Sequence, residues 1–226
     1  MIMVAPRVYT PYPTVCFGVL QVEGFTVRDT TAFAAIRDAE IAAIRADHPG
    51  YVRAEFVQTS PTRAYVQYYK RFQKTYHVLQ QLESIVLKDK TIPDAHPLVQ
   101  ALLLTEVKHM LLIACHDVDS IEGQLTIDLA DGGEPFQSAS GRDIMLPARD
   151  ICMIDAREHI LSIIYGQDSR TRVQPDTRNA LYLIDGVEGV TADQMIEGLG
   201  TLLGYLRAFD PGLQPVRMDV IRPPGR

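Results

Sequence analysis

At Leu111 the periodicity of this chain changes, and that change restricts the fold more than any other feature of the sequence. Before it, apolar residues recur at helical spacing; after it, they come in short β-rich runs cut by turn residues. The first part opens with a strand-like run from Thr14 to Val22. Asp29 or Thr30 then caps a helix over Ala32 to Ala46, with Phe33, Ile36, Ala43 and Ile44 on one face. His48, Pro49 and Gly50 end it. Ser60 as cap and Pro61 at the first helical position predict a second helix whose stripe is Ala64, Tyr65, Tyr68, Tyr69 and Phe72. A third, from Lys74 or Thr75 to Leu87, turns Val78, Leu82, Ile85 and Val86 inward. The fourth, Pro97 to His109, is so apolar from Leu98 to Leu104 that it must be buried on most of its surface.

Beyond Leu111 the β-rich runs are Gln124 to Leu129, Pro135 to Ser138, Ile151 to Ile154, Ile160 to Tyr165 and Ala180 to Ile184. The turn residues between them are Asp131 to Gly133, Ser140 with Gly141, and Asp155 with Ala156, a spacing that predicts a mostly antiparallel assembly. Thr191 and Gln194 have the spacing of a capping box at the head of a last helix, with Met195, Leu199, Leu202, Leu203 and Leu206 inward. After Asp210, Pro211 and Gly212 a frayed tail is expected. With no repeat and no linker, the chain reads as one α+β domain over 1–226: a helix-rich part to 110, a β-rich part over 111–190, a terminal helix over 191–209 and a tail over 210–226.

A length of 226 residues at 46% hydrophobic content suffices to bury a full core. No apolar run approaches the ~20 residues that span a bilayer, and the first residues lack the charged start and apolar block of a signal peptide, so no membrane partner and a cytoplasmic location are expected. Cys16, Cys115 and Cys152 are odd in number and lie in apolar stretches, which suits buried thiols in a reducing compartment. No CxxC pair offers structural zinc, and neither metal nor cofactor is expected. A net charge of −6 argues against coating nucleic acid by bulk electrostatics. Arg63, Lys70, Arg71 and Lys74, and again Arg170, Arg172 and Arg178, form local basic clusters that read either as solvated faces or as phosphate contacts.

Two polar stretches interrupt the apolar second half, His116 to Gly123 (HDVDSIEG) and Gly166 to Asn179 (GQDSRTRVQPDTRN). Each runs into a strand-like segment, so the fold would hold both as loops at a sheet end, where recognition groups usually sit. In the second, Gln167, Asp168, Ser169, Arg170 and Thr171 offer groups for a small zwitterion or a ribose phosphate: Arg170 for a carboxylate or phosphate, Asp168 for an ammonium. The alternative is a turn whose Asp and Arg satisfy one another. Ser169 has no GxSxG elbow around it. In the first stretch, Asp117 and Asp119 either fold the loop through their own backbone or, with Glu122, approach a cation, although the calcium-loop spacing is absent. Lys74 and His77 at the head of the third helix make a further binding candidate, while Tyr68, Tyr69, Phe72 and Tyr76 follow a packing stripe.

From Lys74 to Phe209 the order of pieces resembles the B3/B4 domain family, the editing module of the phenylalanyl-tRNA synthetase β subunit, here in stand-alone form. The resemblance rests on PLV at Pro97 to Val99, HDVDSIEG entering a strand, GGEPF, and RTRVQPDTRNALYLIDG closing into the last helix. It implies a β-sandwich-like assembly of unusual topology flanked by helices, and a pocket for the amino-acid end of a charged tRNA. It also implies editing positions, a histidine, a glycine and a glutamate in the synthetase, that fall here on Ala114, Gln167 and Leu183. None of those side chains is retained, and Ala114 and Leu183 cannot orient water. His116, beside the first position, is the candidate to replace its histidine; its alternative role is structural hydrogen bonding.

Two functions follow from the resemblance. One is hydrolysis, in trans, of a mischarged aminoacyl-tRNA or related aminoacyl ester; the other is a non-catalytic module binding an amino acid, a nucleotide or an RNA end. An unrelated ester or amide hydrolase is a third. The residues leave enzyme and binder both open.

Overall fold

The computed structural model describes residues 2–225. In chain order it contains β1 (Ile2–Val4), β2 (Phe17–Val22), α1 (Thr31–Asp47), the short α2 (Arg53–Phe56), α3 (Thr62–Arg71), α4 (His77–Lys88) and α5 (Pro97–His109). There follow β3 (Ile113–Asp117), β4 (Leu125–Leu129), β5 (Pro135–Gln137), β6 (Asp143–Met145), β7 (Ile151–Ile154), β8 (His159–Ser162), β9 (Gly166–Gln167), β10 (Ala180–Ile184), α6 (Ala192–Phe209) and β11 (Pro215–Ile221). One sheet has the order β1-β4-β7-β8-β9, a second β11-β2-β10-β3, and β5 pairs with β6 in a small hairpin. Pairing is antiparallel throughout except between β1 and β4. The architecture is a single α+β domain.

Register fixes what each face of the second sheet meets. Tyr182, Cys115 and Leu20 share one row, as do Ile184, Ile113 and Gly18. This face packs on α5 and α6: the Tyr182 hydroxyl donates to the Leu98 carbonyl of α5 (3.0 Å), and a Cβ on Gly198 of α6 would meet Leu111 at 2.5 Å and Ile184 at 3.3 Å. Only glycine permits that approach of helix to sheet. Side chains alternate along a strand, so Leu181 with His116, and Leu183 with Ala114, line the opposite face.

Between the sheets runs the tyrosine stripe of α3. Tyr65 donates to the Asp185 carbonyl (2.8 Å) just past β10, in the second sheet; Tyr68 donates to Asp150 Oδ1 (2.7 Å) just before β7, and Tyr69 to the Ile163 carbonyl (2.7 Å) just past β8, both in the first. All three rings are buried, and Tyr76, stacked on Tyr65 at 4.8 Å, donates to the Met110 carbonyl (2.9 Å). Each buried ring contributes on the order of 2–3 kcal/mol of apolar burial while its hydroxyl finds the partner that burial demands.

The structure corrects the sequence reading at several ends. Ala43 is exposed and Ile41 takes the core position on α1. The second helix starts at Thr62 with Pro61 in the cap position; Ser60 makes no cap bond and instead accepts from Gln194 Nε2 (3.1 Å). The third starts at His77 rather than Lys74 or Thr75, because Tyr76 is extended and Gln73 has φ of +56°. The expected tail is a strand: β11 pairs with β2. Nor are helix-rich and β-rich parts separate in space, since β2 lies inside the second sheet and β1 edges the first. The capping box at Thr191 and Gln194 is present, and α6 turns in the five residues expected.

Among the buried carboxyl groups, Glu106, Asp150 and Asp185 lie deepest in the apolar core. Burial pushes Glu106 up to about 8, against the opposing hydrogen bonds from Ile113 N–H and Gln81. Asp150 is pushed up to about 7 by burial, against bonds from Ser162 and Tyr68, and burial also holds Asp185 well above the carboxylate range. A folded pKa above the unfolded one means stability fully present below the unfolded value and lost as pH rises through the folded value. Glu106→Gln keeps the acceptor for Ile113 and removes one such titration. Its melting temperature is therefore expected to exceed that of the parent at pH 8 by several degrees and to match it near pH 4, since ~1 kcal/mol moves a domain of this size by ~2–4 °C. Equal pH dependence in the two proteins, measured by circular dichroism melts, would refute a buried, protonated Glu106.

Candidate functional site

The two polar stretches come together, and most of their polar groups are used on one another. Asp117 N–H donates to the Thr171 carbonyl (2.7 Å) and Val118 N–H to the Asn179 carbonyl (2.9 Å). Asp117 accepts from its own turn at Asp119 N–H (3.0 Å) and from Thr177 Oγ1 (2.7 Å); both oxygens of Asp119 accept from Asn179 Nδ2 (3.0 Å each). The loop-folding role for these aspartates is the one realised. His116 and Asp117 are not loop residues at all, because the first stretch begins inside β3, all of whose residues are buried.

At the centre of this contact lies a closed proton chain. Thr171 Oγ1 donates to Asp168 Oδ1, so its one hydrogen is used, and the 2.7 Å bond to His116 Nδ1 has the imidazole as donor. Burial, with the Arg170 charge nearby, holds His116 down to about 3, and the ring is neutral with its hydrogen on Nδ1. Its Nε2 is buried without a partner among the described residues. A fully buried imidazole does not reach a substrate in this structure; His116 serves here as a structural donor.

Arg170 is similarly committed. Its guanidinium donates to Asp155 Oδ2 (2.6 Å), Glu158 Oε1 (2.6 Å) and the Ser120 carbonyl, joining the first stretch, the β7–β8 turn and the second stretch. Burial pushes the Asp155 carboxyl up, but the Glu122 N–H, the Arg170 guanidinium and the N–H groups of Glu158 and Arg157 outweigh it and hold the group down at about 2. Arg170 has 17% of its side-chain surface exposed, and the Asp155 side chain has none.

Outside this knot a cleft of about 670 Å³ opens between the β5–β6 hairpin, the β7–β8 turn and residues 168–170. Gln137, Asp143, Arg157, Glu158, His159 and Ser169 line it. Ser169 Oγ donates to Gln137 Oε1 (2.6 Å), whose Nε2 donates to Asp143 (3.1 Å). Arg157 is exposed and paired only loosely, at 3.3 Å to Glu122 and 3.8 Å to Glu158. His159, held below the usual imidazole value by burial against the opposing pull of Glu134, makes no side-chain hydrogen bond with any described residue. The ring lines the cleft.

Of the expected residues, Asp168, Ser169 and Arg170 border the cleft. Thr171 is buried behind it, and Gln167 sits on β9, its carbonyl accepting from Ala139 N–H (3.1 Å). Lys74 and His77 lie elsewhere: Lys74 stands 5.1 Å over the Tyr165 ring, and His77 is 3.4 Å from the Tyr69 hydroxyl. Ala114 and Leu183 are paired across β3 and β10 and buried, so core packing occupies two of the three editing positions that the resemblance implied. Arg157 and His159 were missed by sequence reasoning. Their signal was the polar run Asp155 to His159 between two apolar β-runs, which was read only as a turn.

The fold belongs to a recognised class. The model of the B3/4 domain matches residues 62–201, and the chain belongs to the B3/4 domain family. Among solved structures it is similar to an N-terminal fragment of the phenylalanyl-tRNA synthetase β-subunit from Pyrococcus horikoshii, at 12% identity and a TM-score of 0.48, covering 97% of this chain and 50% of that one. The chain thus spans about half the length of that fragment. No curated protein matches it.

The knot makes a direct prediction about stability. Removing Arg170 strands Asp155 as a buried charge, so Arg170→Ala should lose ~3 kcal/mol in urea unfolding at neutral pH. Arg157→Ala, which breaks only exposed pairs, should change by less than ~0.5 kcal/mol. Comparable losses in both variants would contradict this division of labour.

Proposed function

We propose that this chain binds the aminoacyl end of a charged tRNA, or a related aminoacyl ester, in the cleft between the β5–β6 hairpin and residues 168–170. Family membership supports a synthetase-related ligand, and the observation that carries the location is that cleft's mixed lining. Carboxylates at Asp143 and Glu158 suit an α-ammonium, the loosely held Arg157 suits the terminal phosphate, and the imidazole of His159 can bond the ester carbonyl or a ribose hydroxyl. Phe136 and Ile144 supply an apolar wall for a side chain. Binding without hydrolysis is the favoured reading, because the family's editing positions are occupied by Ala114, Gln167 and Leu183 and the candidate His116 is enclosed.

A non-hydrolysable 3′-aminoacylamino-adenosine 5′-monophosphate, which carries the phosphate assigned to Arg157, is the probe. It should raise the melting temperature with the logarithm of its concentration above Kd, as any ligand confined to the folded state does. Arg157→Ala should weaken binding about tenfold, equivalent to ~1.4 kcal/mol, while leaving the melt of the free protein in place. A flat melt with every amino acid series tried would overturn the proposal.

His159, which lines the cleft without a side-chain hydrogen bond to any described residue, supports a second reading, in which that ring takes a proton from water attacking the ester. Under it, charged tRNA is deacylated above the buffer rate and His159→Ala abolishes the rate without changing the fold. Absence of turnover with a tightly bound probe leaves the binding reading alone.

A further inference from the structure

The second sheet ends in a free edge. β11 is its outermost strand, and among the described residues no backbone hydrogen bond joins 215–221 to any segment but β2. Two of its apolar side chains are turned to solvent, Val216 at 58% and Met218 at 39% exposure. An edge of seven residues with exposed apolar side chains is a template for pairing with another strand.

The sequence of this edge, Pro-Val-Arg-Met-Asp-Val-Ile, is complementary to itself. A two-fold axis normal to the sheet keeps every residue on its own face, so opposed residues must have the same parity. That leaves few registers. Centred on Met218, it sets Arg217 opposite the second copy's Asp219, Asp219 opposite its Arg217, and Val216 opposite its Val220. Centred on Arg217 or Asp219, it would set like charges directly opposite, which is destabilising. Within one chain the Arg217 guanidinium already holds Asp219 through two bonds, of 2.9 and 3.0 Å, which fixes both side chains in the row that would face the other copy. The bulge between Pro215 and Arg217 disturbs only the start of the strand. From Arg217 to Ile221 the ladder to β2 is regular.

We infer that two copies of this chain associate through antiparallel pairing of their β11 strands about Met218, joining two four-stranded sheets into one of eight. The contact is isologous and closes on itself, using the β11 edge of each copy once. Sedimentation equilibrium of the full chain should show a concentration-dependent mass approaching twice that of one chain. Arg217→Asp, which opposes Asp to Asp across the axis, should return the single-chain mass; the swap Arg217→Asp with Asp219→Arg should restore the doubled mass. Val216→Lys, which leaves the charged row intact but charges the edge, should also give single chains, and it decides the matter if Arg217→Asp does not fold. A parent protein that stays at single-chain mass at every soluble concentration overturns the inference. So does a doubled mass that Arg217→Asp and Val216→Lys leave unchanged.

Discussion

One helix face holds this fold together. The tyrosines of α3 are spaced so that Tyr65 reaches one sheet while Tyr68 and Tyr69 reach the other, each ring buried and each hydroxyl spent on a group at a strand end. A phenylalanine at any of these positions would fill the same volume but leave a buried carbonyl or carboxyl without its donor, and such a loss is worth ~1–3 kcal/mol. The stripe therefore does more than pack. It ties the two sheets together and, through Asp150 and Ile163, holds the open end of the β7–β8 hairpin, at whose other end stand Arg157 in the turn and His159 at the start of β8.

Beside that frame, the polar interior works by neutralisation rather than by exposure. His116 is enclosed as a neutral ring, Thr171 relays its hydrogen bond to Asp168, and Arg170 meets the buried Asp155 together with Glu158. A lone ionised group in such a place would be untenable; each is there because its partner is. This closure makes the two polar stretches one rigid unit. What remains for a ligand is the outer surface of that unit, where Ser169, His159 and Arg157 are less committed.

Legibility in the sequence followed periodicity. Helices α3, α5 and α6 were readable because three or more turns of apolar spacing outvote any single residue, and the α6 capping box was readable because its geometry is local. Strand β3 was not, since its last two residues, His116 and Asp117, are polar yet buried: their partners, Thr171 and Thr177, are more than fifty residues away, and no local pattern announces them. Strand β11 was hidden for the opposite reason. It follows a Pro-Gly turn and alternates charge with exposed valine and methionine, which reads as a tail until β2 is beside it. The two polar stretches were legible as candidate recognition segments, though not as partners of one another. The cleft was not, because it joins residues near 137, 143, 158 and 169 that only the tertiary fold assembles.

Asp168 and Arg170 face both ways, bordering the cleft while serving the knot behind it, and this decides how the site can vary. If the cleft binds as proposed, a change at Arg170 alters binding and stability together, because the same guanidinium borders the cleft and compensates Asp155. Arg157 and His159 carry no such second duty. Specificity can therefore drift at those two positions, and at the Asp143 and Ile144 side of the hairpin, while the knot stays fixed. A family that keeps its scaffold and changes its ligand would be expected to vary here, on the outer rim, with the buried His116–Thr171–Asp168 chain held constant by the physics of burial rather than by the chemistry of any substrate.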